Sequence, residues 1–273
     1  MEIWRLTMRF IILLSLIINL HATERIITLS PAIAEIVAAL GAQDDIVGVS
    51  EYTLFPPSLQ NRPKVGGYFS LSLEKILVQN PTLVIGLPQH TKILNKLEHF
   101  HIKTLTLPLQ TITEIKNAIT ITGDYLNRKT EVLPLIEAIN KSIKNAPKLT
   151  KSKKVLIVFA NASGIKKGVY VAGHNLYFEE ILHICGAQNA FSDDYAAQPL
   201  LHIENLIATN PDTVILLFGP KDNYEASKVM ASWQILPINA VKTQSIKIIQ
   251  SDYLLIPSHR VAKSIQTLCE AIK

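Results

Sequence analysis

The chain has 273 residues, 48% apolar and 18% charged, with no low-complexity tract. That composition excludes a disordered or fibrous protein and allows one large domain or two lobes. The formal charge of +5 comes from scattered lysines, densest at residues 148–154 where a linker is expected, so a clustered nucleic-acid face is excluded too.

Residues 1–22 read as a secretory signal peptide. Arg5 and Arg9 precede the hydrophobic stretch 10–20, which reaches about 16 Å as a helix, too short for a membrane hydrocarbon core of ~30 Å. Cleavage is expected after Ala22. No cysteine lies near that site, so the exported chain is expected to be soluble and not lipid-anchored. The two cysteines, Cys185 and Cys269, then meet an oxidising compartment, where an even count favours a disulfide over two buried thiols.

In the mature chain, residues 25–29 predict a strand. Ser30-Pro31 supplies a hydroxyl N-cap with proline at N1; the helix that follows carries Ile33, Ile36, Val37 and Leu40 and stops at Gly41. Residues 45–49 predict a second strand. Residues 50–70, with Pro56-Pro57, Pro63 and Gly66-Gly67, form a long irregular connection of the kind that more often carries function than idles. A short amphipathic helix from residue 71 stops at Asn80-Pro81 and leads into a buried strand. A helix at 92–100 and a strand at 103–107 follow. Strands alternating with helices predict a parallel sheet flanked by helices.

A helix over residues 129–145 would align Val132, Ile136, Ile139 and Ile143 in one stripe. Its length of about 25 Å suits a crossing between lobes, and Pro134 is expected to kink it or delay its start. Beyond it lie a strand at 154–159, a helix at 175–185 ended by Gly186, strands at 213–218 and 245–249, and a closing helix at 261–272. Residues 201–215 repeat residues 71–85, with Glu, Asn, Pro, Val and Ile at identical offsets. The repeat predicts two related lobes, residues 23–126 and 154–273, joined by a linker at 127–153.

No phosphate-cradling glycine loop, metalloprotease His pair, C-x-x-C or nucleophile elbow occurs. His99 and His101 lack the further ligands of a metal site and read as solvated residues at a helix end. What the irregular segments concentrate is aromatic: Tyr52, Phe55, Tyr68 and Phe69 in the first half; Tyr170, Tyr177, Phe178, Tyr195 and Tyr253 in the second. Ligands of parallel α/β sheets bind beyond the carboxyl ends of the strands. Tyr52, Tyr68, Tyr170 and Tyr253 fall there, beside Gly173-His174, and suit a large, partly apolar ligand. Glu74 and Glu204 each sit in a helix's first turn, where the helix dipole alone accounts for one carboxylate but not for its repetition.

With these residues assembled, the chain resembles the class III periplasmic binding proteins of ABC importers for cobalamin, haem and iron siderophores, the cobalamin branch most nearly. The carriers are residues 25–32 with Glu35; Val47-Gly48-Val49-Ser50 leading to Tyr52 and Pro56-Pro57; Leu73-Glu74 with residues 81–85; Cys185-Gly186 with Asn189 and Phe191; Ser251-Asp252; and Leu268-Cys269. The resemblance implies two α/β lobes joined by one helix, with ligand held between them and no cofactor, metal or catalysis. It implies a periplasmic location and a permease dimer docked through Glu74 and Glu204. Cys185 and Cys269 match a bridged pair, Tyr52, Tyr68 and Tyr170 a set of cleft aromatics, and Asp252 a polar contact. Gln198 and Leu87 stand where cleft tryptophans are expected, and Ile256 where an arginine is. Cobalamin is the expected ligand. Haem, with Tyr68, Tyr170 or His174 as an axial ligand, and ferric siderophores are the alternatives within the family; an exported α/β enzyme is the alternative outside it.

Overall fold

The computed structural model describes residues 24–160, 164–191 and 197–273; the expected signal peptide and Tyr195 lie outside them. The first sheet is built from β1 (Ile26–Thr28), β2 (Ile46–Val49), β3 (Leu83–Gly86) and β4 (Lys103–Thr106), all parallel in the order β2-β1-β3-β4. Its helices are α1 (Pro31–Ala39), α2 (Leu73–Val78), α3 (Thr91–Glu98) and α4 (Ile112–Tyr125), and α5 (Lys129–Asn145) leads out of it. The second sheet contains β5 (Lys154–Phe159), β6 (Val169–Val171), β7 (Gln188–Asn189), β8 (Leu200–Leu201), β9 (Thr213–Phe218) and β10 (Ile246–Gln250). Around it lie α6 (Tyr177–Ile184), α7 (Ile203–Thr209), α8 (Ala226–Gln234), α9 (Asn239–Lys242) and α10 (Val261–Ile272).

The two sheets share a plan. β7-β5-β9-β10 are parallel and adjacent in the order of β2-β1-β3-β4. The second sheet departs from the expected all-parallel form only through β6 and β8, which add two antiparallel pairings at one side. The repeated sequence reaches the backbone as well. Asn80 and Asn210 both turn left-handed (φ 46° and 38°) after α2 and α7, a conformation asparagine tolerates. Gly41 and Gly186 do so after α1 and α6 (φ 76° and 79°). In each case the next two N–H groups fold back on the helix: Gly41 onto Ala38 and Ala42 onto Val37, Gly186 onto His183 and Ala187 onto Leu182. These bonds satisfy carbonyls that the helix end would otherwise orphan.

Alternation along the strands divides the core. Ile26 of β1 and Ile215 and Leu217 of β9 enter one cluster; Ile27 enters a second, and Val214, Leu216 and Phe218 a third. The first cluster is continuous through both lobes. The α5 stripe supplies buried Ile139 and half-buried Val132, Ile136 and Ile143 to it, so the linker helix is part of the core rather than a free strut. Pro134 lies inside α5 without ending it. α4 had no counterpart in the sequence reading, although its start is a reciprocal cap: Thr111 Oγ accepts from Glu114 N at 3.1 Å, and Glu114 Oε2 accepts from Thr111 N at 3.1 Å. Cys185, capping α6, is bridged to Cys269 on α10.

Candidate functional site

A carboxylate in the middle of an apolar helix must find a partner or stay protonated. Glu35 lies on α1 between Ile33 and Ile36 and is 2% exposed. Its carboxylate receives the fork of Arg260 from the other lobe, through Nε at 2.9 Å and through Nη2, together with Ser258 Oγ. Burial pushes the Glu35 carboxyl up, while Arg260 and Ser258 pull it back. Burial would lower the Arg260 guanidinium, but Glu35 and Asp252 outweigh it and hold it above its ordinary value. A second seam lies beside this one: Gln110 accepts from Tyr177 N, Glu180 Oε2 accepts from Ile112 N, and the buried Tyr177 hydroxyl donates to Leu254 O. The lobes therefore meet through polar contacts made by residues 35, 110 and 112 on one side and 177, 180, 258 and 260 on the other.

Above that junction, the loop after β2 doubles back. Val65 N donates to Val49 O at 3.0 Å, Glu51 N to Gly66 O at 2.9 Å and Ser72 N to Val65 O at 2.9 Å. Tyr52 projects 77% exposed from a left-handed backbone (φ 63°), a conformation rare for aromatics and frequent at functional loops. Tyr68, 44% exposed, is anchored from below. The buried His90 accepts from Leu87 N at Nδ1 (3.2 Å), so its Nε2–H faces Tyr68 O (3.2 Å). Burial keeps that imidazole below its ordinary value, against the Tyr68 bond. Gln89 Nε2 donates to the Tyr68 hydroxyl, and Phe69 packs edge-on against the Tyr68 ring at 4.7 Å. An open cavity of about 310 Å³ lies along Tyr68, Phe69, Leu73 and Ile93.

In the second lobe Tyr170, 53% exposed, stands on β6 opposite Phe159, at the carboxyl end of β5. His174 Nδ1 is 2.9 Å from Glu179 Oε2. Asp252 Oδ2 accepts from Arg260 Nη1 at 2.8 Å; burial opposes its ionisation, but the guanidinium prevails and holds the carboxyl below its usual range. Tyr253 departs from the expectation that it faces ligand. It is 8% exposed, its hydroxyl is 2.9 Å from Thr267 Oγ1, and Lys263 caps its ring at 4.1 Å. It turns inward because it packs on α10, beside Leu254 and Ile265 in the continuous core. Leu87 is buried and Gln198 exposed. Lys64, within the aromatic loop, is lowered by burial and by the charge of Lys221 from the opposite lobe. Glu74 and Glu204 are both exposed in the first turns of α2 and α7, outside the aromatic set. Among the described residues no group of three His, Cys, Asp or Glu is placed to hold a metal ion, and no helix is long and apolar enough to cross a membrane.

The geometry thus comprises two lobes of one topology, a core helix between them and exposed tyrosines at the carboxyl ends of both sheets. The family description "Periplasmic binding protein" matches residues 26–253. The chain belongs to that family. A vitamin B12-binding protein of Vibrio vulnificus strain YJ016 is 27% identical over 269 residues, covering 95% of this chain and 94% of the relative. Among solved structures, a periplasmic heme-binding protein of Roseiflexus sp. RS-1 in apo form superposes with a TM-score of 0.77 at 23% identity, covering 91% of this chain and 97% of that one. A periplasmic vitamin B12-binding protein of Vibrio cholerae gives 0.73 at 21%, covering 91% and 96%. In this periplasmic binding protein, sequence reasoning left Arg260 unplaced and gave Glu35 no role. The signal was present: a glutamate on the buried face of α1 requires a cation from elsewhere.

Proposed function

We propose that the chain is the periplasmic solute-binding component of an ABC importer that takes cobalamin, or a related corrinoid, between its lobes and delivers it to a permease. The observation that carries this reading is the exposure of Tyr52, Tyr68 and Tyr170 at the carboxyl ends of both sheets, in a chain whose relatives named for vitamin B12 binding match it along 95% of its length. Flat phenol-bearing rings bury a large apolar macrocycle and still offer hydrogen bonds to its amide periphery. Asp252, ionised and half-exposed, suits a polar contact at the rim. Catalysis has no place in this reading; the ligand is cargo. Glu74 and Glu204, on equivalent exposed helices of the two lobes, are assigned to docking on a permease dimer, whose two halves would present matching cations. The lobes take the boundaries 23–126 and 154–273, with 127–153 as linker and 1–22 as the export signal.

Haem is the second reading, favoured by Lys64 and Lys221. These bring two cations toward each other from opposite lobes and would suit a ligand bearing carboxylates, with a tyrosine as axial ligand. Calorimetric titration of the purified protein with cyanocobalamin, haemin and a ferric siderophore separates the readings. Saturable 1:1 heat with cyanocobalamin alone is expected. Heat with haemin alone, with a Soret shift lost on Tyr170→Phe or Tyr68→Phe, would transfer the assignment to haem.

A further inference from the structure

One side chain touches three parts of the molecule that a ligand between the lobes would need held still. Arg260 precedes α10 in the second lobe, and its side chain is 10% exposed. Its Nε and Nη2 grip Glu35 of the first lobe's α1. Nη1 donates to Asp252 Oδ2, and Nη2 also donates to the Asp252 carbonyl, both at 2.8 Å. The face of the guanidinium lies 4.2 Å over the ring of Phe55, three residues from Tyr52 on the first lobe's aromatic loop. A guanidinium is planar, always charged and offers donors in a rigid fork, so contacts on three sides fix the relative placement of whatever makes them. Glu35 in turn has no solvent to fall back on, and Ser258 completes its acceptor set.

We propose that Arg260 is a positioning residue of the inter-lobe cleft. By holding Glu35 and Phe55 of one lobe and Asp252 of the other on a single guanidinium, it sets the separation of the lobes and aims the Asp252 carboxylate. The continuous core keeps the lobes attached; the Arg260 fork determines at what distance and angle. Arg260→Lys preserves the charge but, as a point donor on a flexible stem, cannot span Glu35 and Asp252 while covering Phe55.

The test uses the full mature chain with nitroxide labels at two exposed positions, Asn95→Cys on α3 and Lys228→Cys on α8, and reads the inter-lobe distance distribution without ligand. The wild-type background should give one narrow distribution; Arg260→Lys should broaden it at least twofold. Phe55→Leu, which leaves the ion pairs intact and covers the case in which Arg260→Lys fails to fold, should broaden it by a smaller factor. Unchanged widths in a folded Arg260→Lys protein, or in Phe55→Leu where the former does not fold, would overturn the proposal. A second readout rests on the cleft being the binding site: cyanocobalamin affinity should fall about tenfold in Arg260→Lys, and adding Asp252→Asn should cost little more. Broadened distances with a wild-type protein that binds no cyanocobalamin would support the role of Arg260 and refute only the choice of ligand. Binding with unchanged distances would refute the role of Arg260.

Discussion

Removing the Cys185–Cys269 bridge is a quantitative test of how the second lobe is closed. The bridge ties the C-terminal cap of α6 to the last helix, α10, and both cysteines are buried in the core that runs through the two lobes. It closes a loop with a sequence separation of 84. Chain-entropy reasoning values such a loop at about 4.5 kcal/mol, the freedom the unfolded chain regains when the bond is cut. For about 250 folded residues, an unfolding entropy of roughly 2.1 cal/mol/K per residue converts this to a fall in Tm of about 8–9 °C. The variant to make is Cys185→Ala/Cys269→Ala, melted by far-UV circular dichroism beside the wild type with and without reductant. The reduced wild type and the variant should melt together, well below the oxidised protein, and denatured unreduced wild type should show no free thiol. A variant that melts within 1 °C of the oxidised wild type would refute the reasoning, because the bridge would then constrain nothing that the core does not already hold.

Replacing both Glu74 and Glu204 by alanine should abolish cobalamin uptake in cells and leave the Kd of the purified protein within twofold; weakened ligand binding would contradict the docking role. Gly66→Ala should lower stability by about 2–3 kcal/mol in urea titrations, since Gly66 has φ +128° and a Cβ there would lie 2.3 Å from Ser70 O and 2.8 Å from Leu71 Cα. The same change should displace Tyr68, which a fall in cobalamin affinity would register; wild-type stability would show that the loop is not held as described. His259 is kept neutral by burial, reinforced by the charge of Arg260, with a pKa of about 4 against an ordinary ~6.5 in the unfolded chain. Between those values the unfolded state binds the proton and the folded state does not. Stability is therefore full above about pH 6.5 and falls by roughly 1.4 kcal/mol per unit toward pH 4, to a limit of about 3 kcal/mol. Melts of His259→Leu at pH 7.5 and 5 should show a smaller drop than the wild type; an equal drop would remove His259 from the account.

Much of the fold was legible because it follows from periodicity and caps. The strand at 154–159, the strand at 213–218, the linker helix over 129–145 and the closing helix over 261–272 have the bounds the sequence predicts. The repeat around Asn80-Pro81 and Asn210-Pro211 anticipated two sheets of common topology. β6 and β8 were not foreseen, because pairs of two or three residues are decided by neighbours and carry too little pattern. α4 was missed despite the Thr111–Glu114 cap and a buried stripe of Ile112, Ile115, Ala118 and Ile119 at helical spacing; its β-branched isoleucines and threonines favour strands and masked that period. At the site, loop position placed Tyr52, Tyr68 and Tyr170 on exposed ground. It could not tell that Tyr253 turns inward to Thr267, a matter of one side chain's packing. The Glu35–Arg260 fork spans 225 residues of sequence, and only the folded chain brings its ends together.

In the proposed function, these tyrosines hold a corrinoid between the lobes. Equilibrium dialysis of labelled cyanocobalamin against the wild type and Tyr68→Ala/Tyr170→Ala tests it most directly. One molecule bound per wild-type chain is predicted, with affinity at least tenfold weaker in the double variant, since each tyrosine ring buried against the macrocycle contributes on the order of 1 kcal/mol or more through apolar burial. Equal binding by the two proteins, or none by the wild type at micromolar concentration, would contradict it.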